Sequence, residues 1–161
     1  MAKAHPKKKH LTKQAVQELP FLSSAFICEK VLLEERVHSA IRMVDTLNLQ
    51  QDPSELPDFN DPKFEGLELP LVLFVGFRAG KARGDFECKI IVRSPGGLQL
   101  KYGSMKFTVN NDATDSTGAI ANLPVKLKWE KAGLYWFEIW MKDKLITQVP
   151  LNVVVNKQLQ K

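Results

Sequence analysis

The stretch Ala132–Val155, AGLYWFEIWMKDKLITQVPLNVVV, limits what this chain can become more than any other. Tyr135, Phe137, Ile139 and Met141 alternate with Trp136, Glu138, Trp140 and Lys142. A period of two places the first set on one face of a strand and the second on the other. Lys142, Asp143 and Lys144 make a short polar connection, and Leu145–Val155 returns as a second strand. Pro150 suits an edge or a bulge in that strand, because it has no N–H to give to a ladder. The unit predicted here is a β-hairpin with one apolar face, and such a face must be buried against another layer.

The same alternation recurs upstream. Ala25–Leu33 and Val37–Leu47 read as an antiparallel pair, separated by the polar break Glu34-Glu35-Arg36. Leu69–Arg78 is a dense apolar strand that suits the centre of a sheet. Ala79–Gly84 is a glycine-bracketed turn, Asp85–Arg93 a strand, and Ser94-Pro95-Gly96-Gly97 a strong turn signal. Leu98–Val109 and a strand within Ala119–Trp129 follow, with the polar loop Asn110–Gly118 between them. About eight strands result, with turn signals at sandwich-like spacing and no long helices between them. That pattern argues against a parallel α/β sheet. The expected fold is all-β: an antiparallel two-sheet sandwich, immunoglobulin-like, preceded by a short N-terminal helix or tail. A jelly roll or C2-like sandwich is the alternative. The Gly133-Leu134-Tyr135 step fits the tyrosine corner of immunoglobulin-like sandwiches.

Two segments stand apart. Residues 1–20 form a basic tail, in which Thr12 could cap a short helix running to Leu19 before Pro20 stops it. Residues 21–161 form the sandwich domain. Within that domain, Asn48–Glu68 reads as a long irregular segment with three prolines and six acids against Lys63. Connections of this length are either functional or wrapped onto the fold.

The net charge of +5 sits in the tail. Residues 1–17 hold Lys3, Lys7, Lys8, Lys9 and Lys13 and no acid, and the 23 basic residues less these five match the 18 acidic ones. The domain is therefore close to neutral, and the basic pI gives it no basic face. Hydrophobic residues at 44% and charged residues at 25% describe a globular chain. No apolar run approaches the ~20 residues of a membrane helix, and no apolar core of a signal peptide follows the basic start. The expected location is cytoplasmic, with no membrane partner. Cys28 and Cys88 sit in apolar strand patterns without metal-type spacing. They are expected as buried thiols, with a disulfide left open.

Catalytic constellations are missing from the sequence. The three histidines are His5, His10 and His38, and no GxSxG elbow occurs. Asn110, Asn111, Asp112 and Asp115 make an oxygen-rich loop of a kind that binds calcium, but their order does not match an EF-hand and the same residues build ordinary turns. Gly80-Lys81-Ala82-Arg83-Gly84 is a compact basic loop able to meet an anion, though its glycines lead into a strand rather than a helix. Neither a metal nor a cofactor is expected. Lys7, Lys8 and Lys9 would attract phosphates without sequence preference, but the neutral domain carries no basic-aromatic stripe for nucleic acid.

The strongest candidate surface is the second face of the hairpin. Trp136 and Trp140 lie ~13 Å apart along the strand and flank Glu138. Left open, they form an aromatic patch of the kind that marks a partner surface, which Trp129 extends. Covered by the tail helix or by Asn48–Glu68, they are core.

Four segments carry a family resemblance: Phe26-Ile27-Cys28-Glu29-Lys30-Val31-Leu32, Ser39-Ala40-Ile41-Arg42-Met43-Val44-Asp45, Ala79-Gly80-Lys81-Ala82-Arg83-Gly84 and Gly133-Leu134-Tyr135-Trp136-Phe137. Together they resemble a family of small uncharacterised bacterial β-sandwich proteins over roughly Phe26–Val155. The resemblance implies a compact sandwich and brings no activity and no catalytic residues. The lysine-rich tail is not part of the pattern.

The expected function is that of a non-enzymatic protein–protein interaction or self-assembly module, partnered by another protein or by its own copy through Trp136, Trp140, Trp129 and Glu138. A carbohydrate- or calcium-binding module and a nucleic-acid-associated protein tethered by Lys7, Lys8 and Lys9 are the alternatives.

Overall fold

A computed structural model describes residues 18–35, 37–51, 70–125 and 132–157. Nine strands follow one another: β1 (Phe21–Glu34), β2 (Val37–Met43), β3 (Thr46–Gln51), β4 (Leu71–Arg78), β5 (Gly84–Arg93), β6 (Gln99–Val109), β7 (Gly118–Val125), β8 (Gly133–Met141) and β9 (Lys144–Lys157). They form a four-stranded sheet in the order β2-β1-β4-β7 and a five-stranded sheet in the order β3-β9-β8-β5-β6. Among the described residues no helix is long and apolar enough to cross a membrane.

The two sheets share one core. β4 contributes Leu71, Leu73, Val75 and Phe77; β5 contributes Phe86, Cys88, Ile90 and Val92; β9 contributes Val149, Leu151 and Val153. β8 adds Tyr135, Phe137, Ile139 and Met141, the four residues that the alternation assigns to the inner face. Each large apolar side chain buried in this way stabilises the fold by about 1.5–3 kcal/mol. The stacked rings of Phe77 and Phe107, 5.4 Å apart, and of Phe86 and Phe107, 5.6 Å apart, continue the core to one end of the sandwich.

Three expectations are corrected. Val37–Leu47, expected as one strand, is broken at Val44–Asp45 and changes sheets there: Val44 N–H bonds to the Ile27 carbonyl and Asn152 N–H to the Asp45 carbonyl, each at 2.8 Å. Alternation tells which face a residue takes but not which neighbour its strand pairs with, so the crossing leaves no mark in the pattern. Second, Asn48–Gln51, expected within the irregular segment, belongs to β3. Third, β3 pairs with β9 in parallel, the exception in sheets whose other pairs are antiparallel. Residues 18–20, where the helix is expected to end, run into β1 without regular structure. The rest of that helix, and residues 52–69 of the acidic segment, lie outside the described residues.

β1 and β2 run on past the end of β4. Cys28 pairs with Val72, and from there to Glu34 the partner of β1 is β2. Arg42 takes φ 50 near the start of this extension, a left-handed conformation rare for a residue with a side chain. The hairpin bends back, because the His38 ring meets the Phe74 ring edge-on at 6.2 Å on the outside of the four-stranded sheet. Phe26 stacks on the same ring at 4.8 Å. Cys28 is buried on this outer side and Cys88 in the core, and both are free thiols.

Candidate functional site

The outer face of the five-stranded sheet carries the residues singled out in β8. Register fixes their neighbours in three rows. Trp136 lies between Arg93 of β5 and Pro150 of β9; Glu138 lies between Ile91 and Gln148; Trp140 lies between Lys89 and Leu145. A β-bulge at the far end of the β8–β9 pair separates the third row from the second. Paired residues on one face of a sheet are close enough to touch, so sequence positions as distant as 93, 138 and 148 become one surface.

Glu138 is the centre of that surface. It is 3% exposed, and among the described residues it is the only buried polar or charged side chain. Three donors converge on it. Arg93 Nε donates to Oε1 at 2.5 Å, Gln148 Nε2 donates to Oε1 at 3.2 Å, and Trp140 Nε1 donates to Oε2 at 3.0 Å. A buried carboxylate is tolerated only with such company. The Arg93 hydrogen bond holds the Glu138 carboxyl below its ordinary value of 4.5, with the Trp140 and Gln148 bonds in support, while burial pushes the other way. The same bond, and then the charge of Glu138, raises the Arg93 guanidinium above its ordinary value.

The tryptophans are neither core nor free. Both are partly exposed, and Trp140 is held in place by its bond to Glu138. Arg93 keeps 40% of its side chain exposed. The outer face is therefore aromatic and pinned, with a neutralised ion pair beneath it. Leu145 and Pro150 add exposed apolar area at its β9 border.

The sequence singles out Trp136, Trp140 and Glu138, and the structure brings them together. It does not reveal Arg93 and Gln148 in advance: each is an ordinary surface residue until the register of β5 and β9 against β8 is known. Trp129 and the tail lysines Lys7, Lys8 and Lys9 lie outside the described residues.

The two loops considered for ion binding meet each other at the opposite end of the fold from Gly133. Arg83 donates Nη1 to the carbonyls of Gly80 and Ala82 at 2.8 and 2.7 Å, and Nη2 to that of Ala113. Arg78 donates to the Ser116 carbonyl. The cation of the Gly80–Gly84 loop thus fastens the Asn110–Thr117 loop. Among the described residues no group of three or more His, Cys, Asp or Glu side chains is gathered closely enough to hold a metal ion.

No protein-family model matches the sequence, and no curated protein matches it. Among solved structures, an immunoglobulin-like protein from Pseudomonas aeruginosa is similar with a TM-score of 0.41 and 12% identity, over 87% of this chain and 100% of that one. The strand order itself makes this fold a two-sheet β-sandwich. The alkylpurine DNA glycosylase AlkC of Pseudomonas fluorescens, solved on DNA with an abasic site analogue, is similar with a TM-score of 0.38 and 7% identity. That likeness covers 68% of this chain and 27% of the glycosylase.

Proposed function

We propose that this sandwich is a non-enzymatic, cytoplasmic interaction module that binds a protein partner, or its own copy, through the outer face of the five-stranded sheet. The observation that carries the reading is the pinned Trp140 beside partly exposed Trp136, set over a carboxylate that is already satisfied. Tryptophan and arginine are the side chains most enriched where binding energy concentrates. A side chain held in place before contact loses less freedom on binding than a mobile one. Because Glu138 needs no further partner, a second surface can cover it without leaving a buried charge unpaired.

Replacing both Trp136 and Trp140 by Ser tests this. Light scattering coupled to size exclusion, and pull-down with the full chain as bait, should show loss of self-association or of a specific partner. Near-native thermal stability of the double variant is part of the expected result. Unchanged assembly and unchanged partner capture in a folded double variant sink the proposal.

A further inference from the structure

We infer that the cleft at the Arg78–Thr117 end of the sandwich is a binding site for a free α-amino acid with an apolar side chain. This site is separate from the tryptophan face. It opens where β4 and β6 end and β7 begins, with a volume of about 250 Å³. A cavity of ~150 Å³ accepts benzene, so there is room here for a phenyl or branched aliphatic group and a short polar head.

The lining fits both parts of such a molecule. Phe77, Phe107 and Val109 provide an apolar floor. Phe77 and Phe107 are already stacked, so a third flat or branched group can lie on the exposed part of Phe107. Arg78 and Asp112 bring opposite charges to the rim. They do not neutralise each other: the guanidinium of Arg78 donates to the Ser116 carbonyl, and Asp112 makes no ion pair or hydrogen bond among the described residues. A cation and an anion on one small cleft, neither of them in an ion pair among the described residues, complement a zwitterion better than any ligand of single charge.

The walls are also set in advance. Ala79 N–H bonds to the Thr117 carbonyl at 2.7 Å, Thr114 N–H bonds to Thr117 Oγ1 at 2.9 Å, and Arg83 ties the Ala113 carbonyl to the neighbouring turn. A loop fastened in this way does not have to be ordered by the ligand.

Calorimetric titration of the full chain with L-phenylalanine, phenylethylamine and 3-phenylpropanoate is the test. Saturable one-to-one binding of L-phenylalanine is expected, at least tenfold tighter than either analogue with a single charge. Arg78→Gln and Asp112→Asn should each weaken L-phenylalanine at least fivefold, and Ala119→Leu should close the cleft to it. Amide shifts in an NMR titration should fall on Thr117 and Gly118, not on Trp136 or Trp140, which keeps the outcome distinct from that of the tryptophan face. Absence of saturable binding up to the solubility of L-phenylalanine overturns the inference. So does equal binding of the three probes, or shifts confined to other parts of the fold.

Discussion

Arg93 reaches diagonally from β5 to Glu138 on β8, passing the residue that pairs directly with it. Its backbone partner is Trp136, and Glu138 is paired with Ile91, yet Nε and Oε1 meet at 2.5 Å. The diagonal ties β5 to β8 one row away from their direct pairing, and the carboxylate it reaches is 3% exposed. One ion pair thereby sets both the polarity and the rigidity of the tryptophan face.

Removing the carboxylate should loosen that face without unfolding the domain. Glu138→Ala leaves the donors of Arg93, Gln148 and Trp140 without their acceptor. Breaking a fully buried ion pair costs about 3–5 kcal/mol. Arg93 remains 40% exposed and can return to water, so the loss should be nearer the about 1–3 kcal/mol of an unsatisfied hydrogen-bonding group. In a chain of this length that lowers the melting temperature by roughly 2–4 °C per kcal/mol. Tryptophan fluorescence should shift as Trp140 loses its bond. A melting temperature equal to that of the parent would show that the network contributes nothing.

The pH dependence has a definite sign. Glu138 is held below its ordinary value of 4.5 in the folded protein. Its contribution to stability is therefore fully present above 4.5 and is lost as pH falls from there through the folded value. Glu138→Gln removes this dependence. Chemical denaturation across pH 3 to 7 should give a smaller acid loss for the variant than for the parent, and parallel curves would contradict the assignment.

Some of this was legible in the residues alone. The inner face of β8 follows from the alternation of Tyr135, Phe137, Ile139 and Met141, because burial on one side of a strand is written locally. The two-sheet architecture follows from several such runs separated by turn residues. What stayed hidden depends on pairing between distant strands. Val44–Asp45 changes sheets inside an unbroken alternation, and Asn48–Gln51 becomes a parallel edge strand only because β9 lies beside it. Glu138 looks like an exposed residue between two tryptophans until register places Arg93 and Gln148 next to it. The cleft, too, forms only where the end of β4 at Arg78 meets the distant β6–β7 connection from Val109 to Gly118.

Gly133 should not tolerate a side chain. It opens β8 at φ 127, and a Cβ there would lie 2.8 Å from Cβ of Pro95. A proline ring cannot rotate out of the way, and the backbone conformation is one that residues with side chains rarely adopt. Gly133→Ala should destabilise the domain by about 1–3 kcal/mol in denaturant titration. A loss within error of zero would mean that the 133–95 contact relaxes freely.

The β8–β9 turn offers a gain. Lys142 and Asp143 take φ 47 and 60, the two left-handed positions of a type I′ turn, where Asn and Gly are preferred. The two positions are not equivalent. Lys142 places Nζ 5.5 Å from the centre of the Phe86 ring, a contact of about 0.5–1 kcal/mol that Asn would lose. Asp143 has only a 3.9 Å approach to Lys89 from a side chain that is 95% exposed, which contributes little. Asp143→Gly should therefore raise stability by up to about 1 kcal/mol, after the larger unfolded-state freedom of Gly is subtracted. Lys142→Asn should give no gain, and the reverse order in thermal melts would refute the turn assignment.

The two cysteines should behave as inert thiols until the domain opens. Cys28 and Cys88 are both fully buried. Burial pushes the Cys88 thiol up to about 11 and raises that of Cys28, whose Sγ also approaches the Val72 carbonyl at 3.7 Å. The thiolate is the reacting species, and it is scarce at neutral pH for both. The aromatic disulfide reagent DTNB should find almost no thiol in the native protein at pH 8 and two in denaturant. If modification waits on unfolding, it should quicken as denaturant lowers stability. Cys28 is the more exposed to local opening, because it lies under the bent β1–β2 hairpin outside the main core. Mass spectrometry of partly modified protein should find Cys28 labelled before Cys88, and labelling in the opposite order would mean that the hairpin does not open ahead of the core.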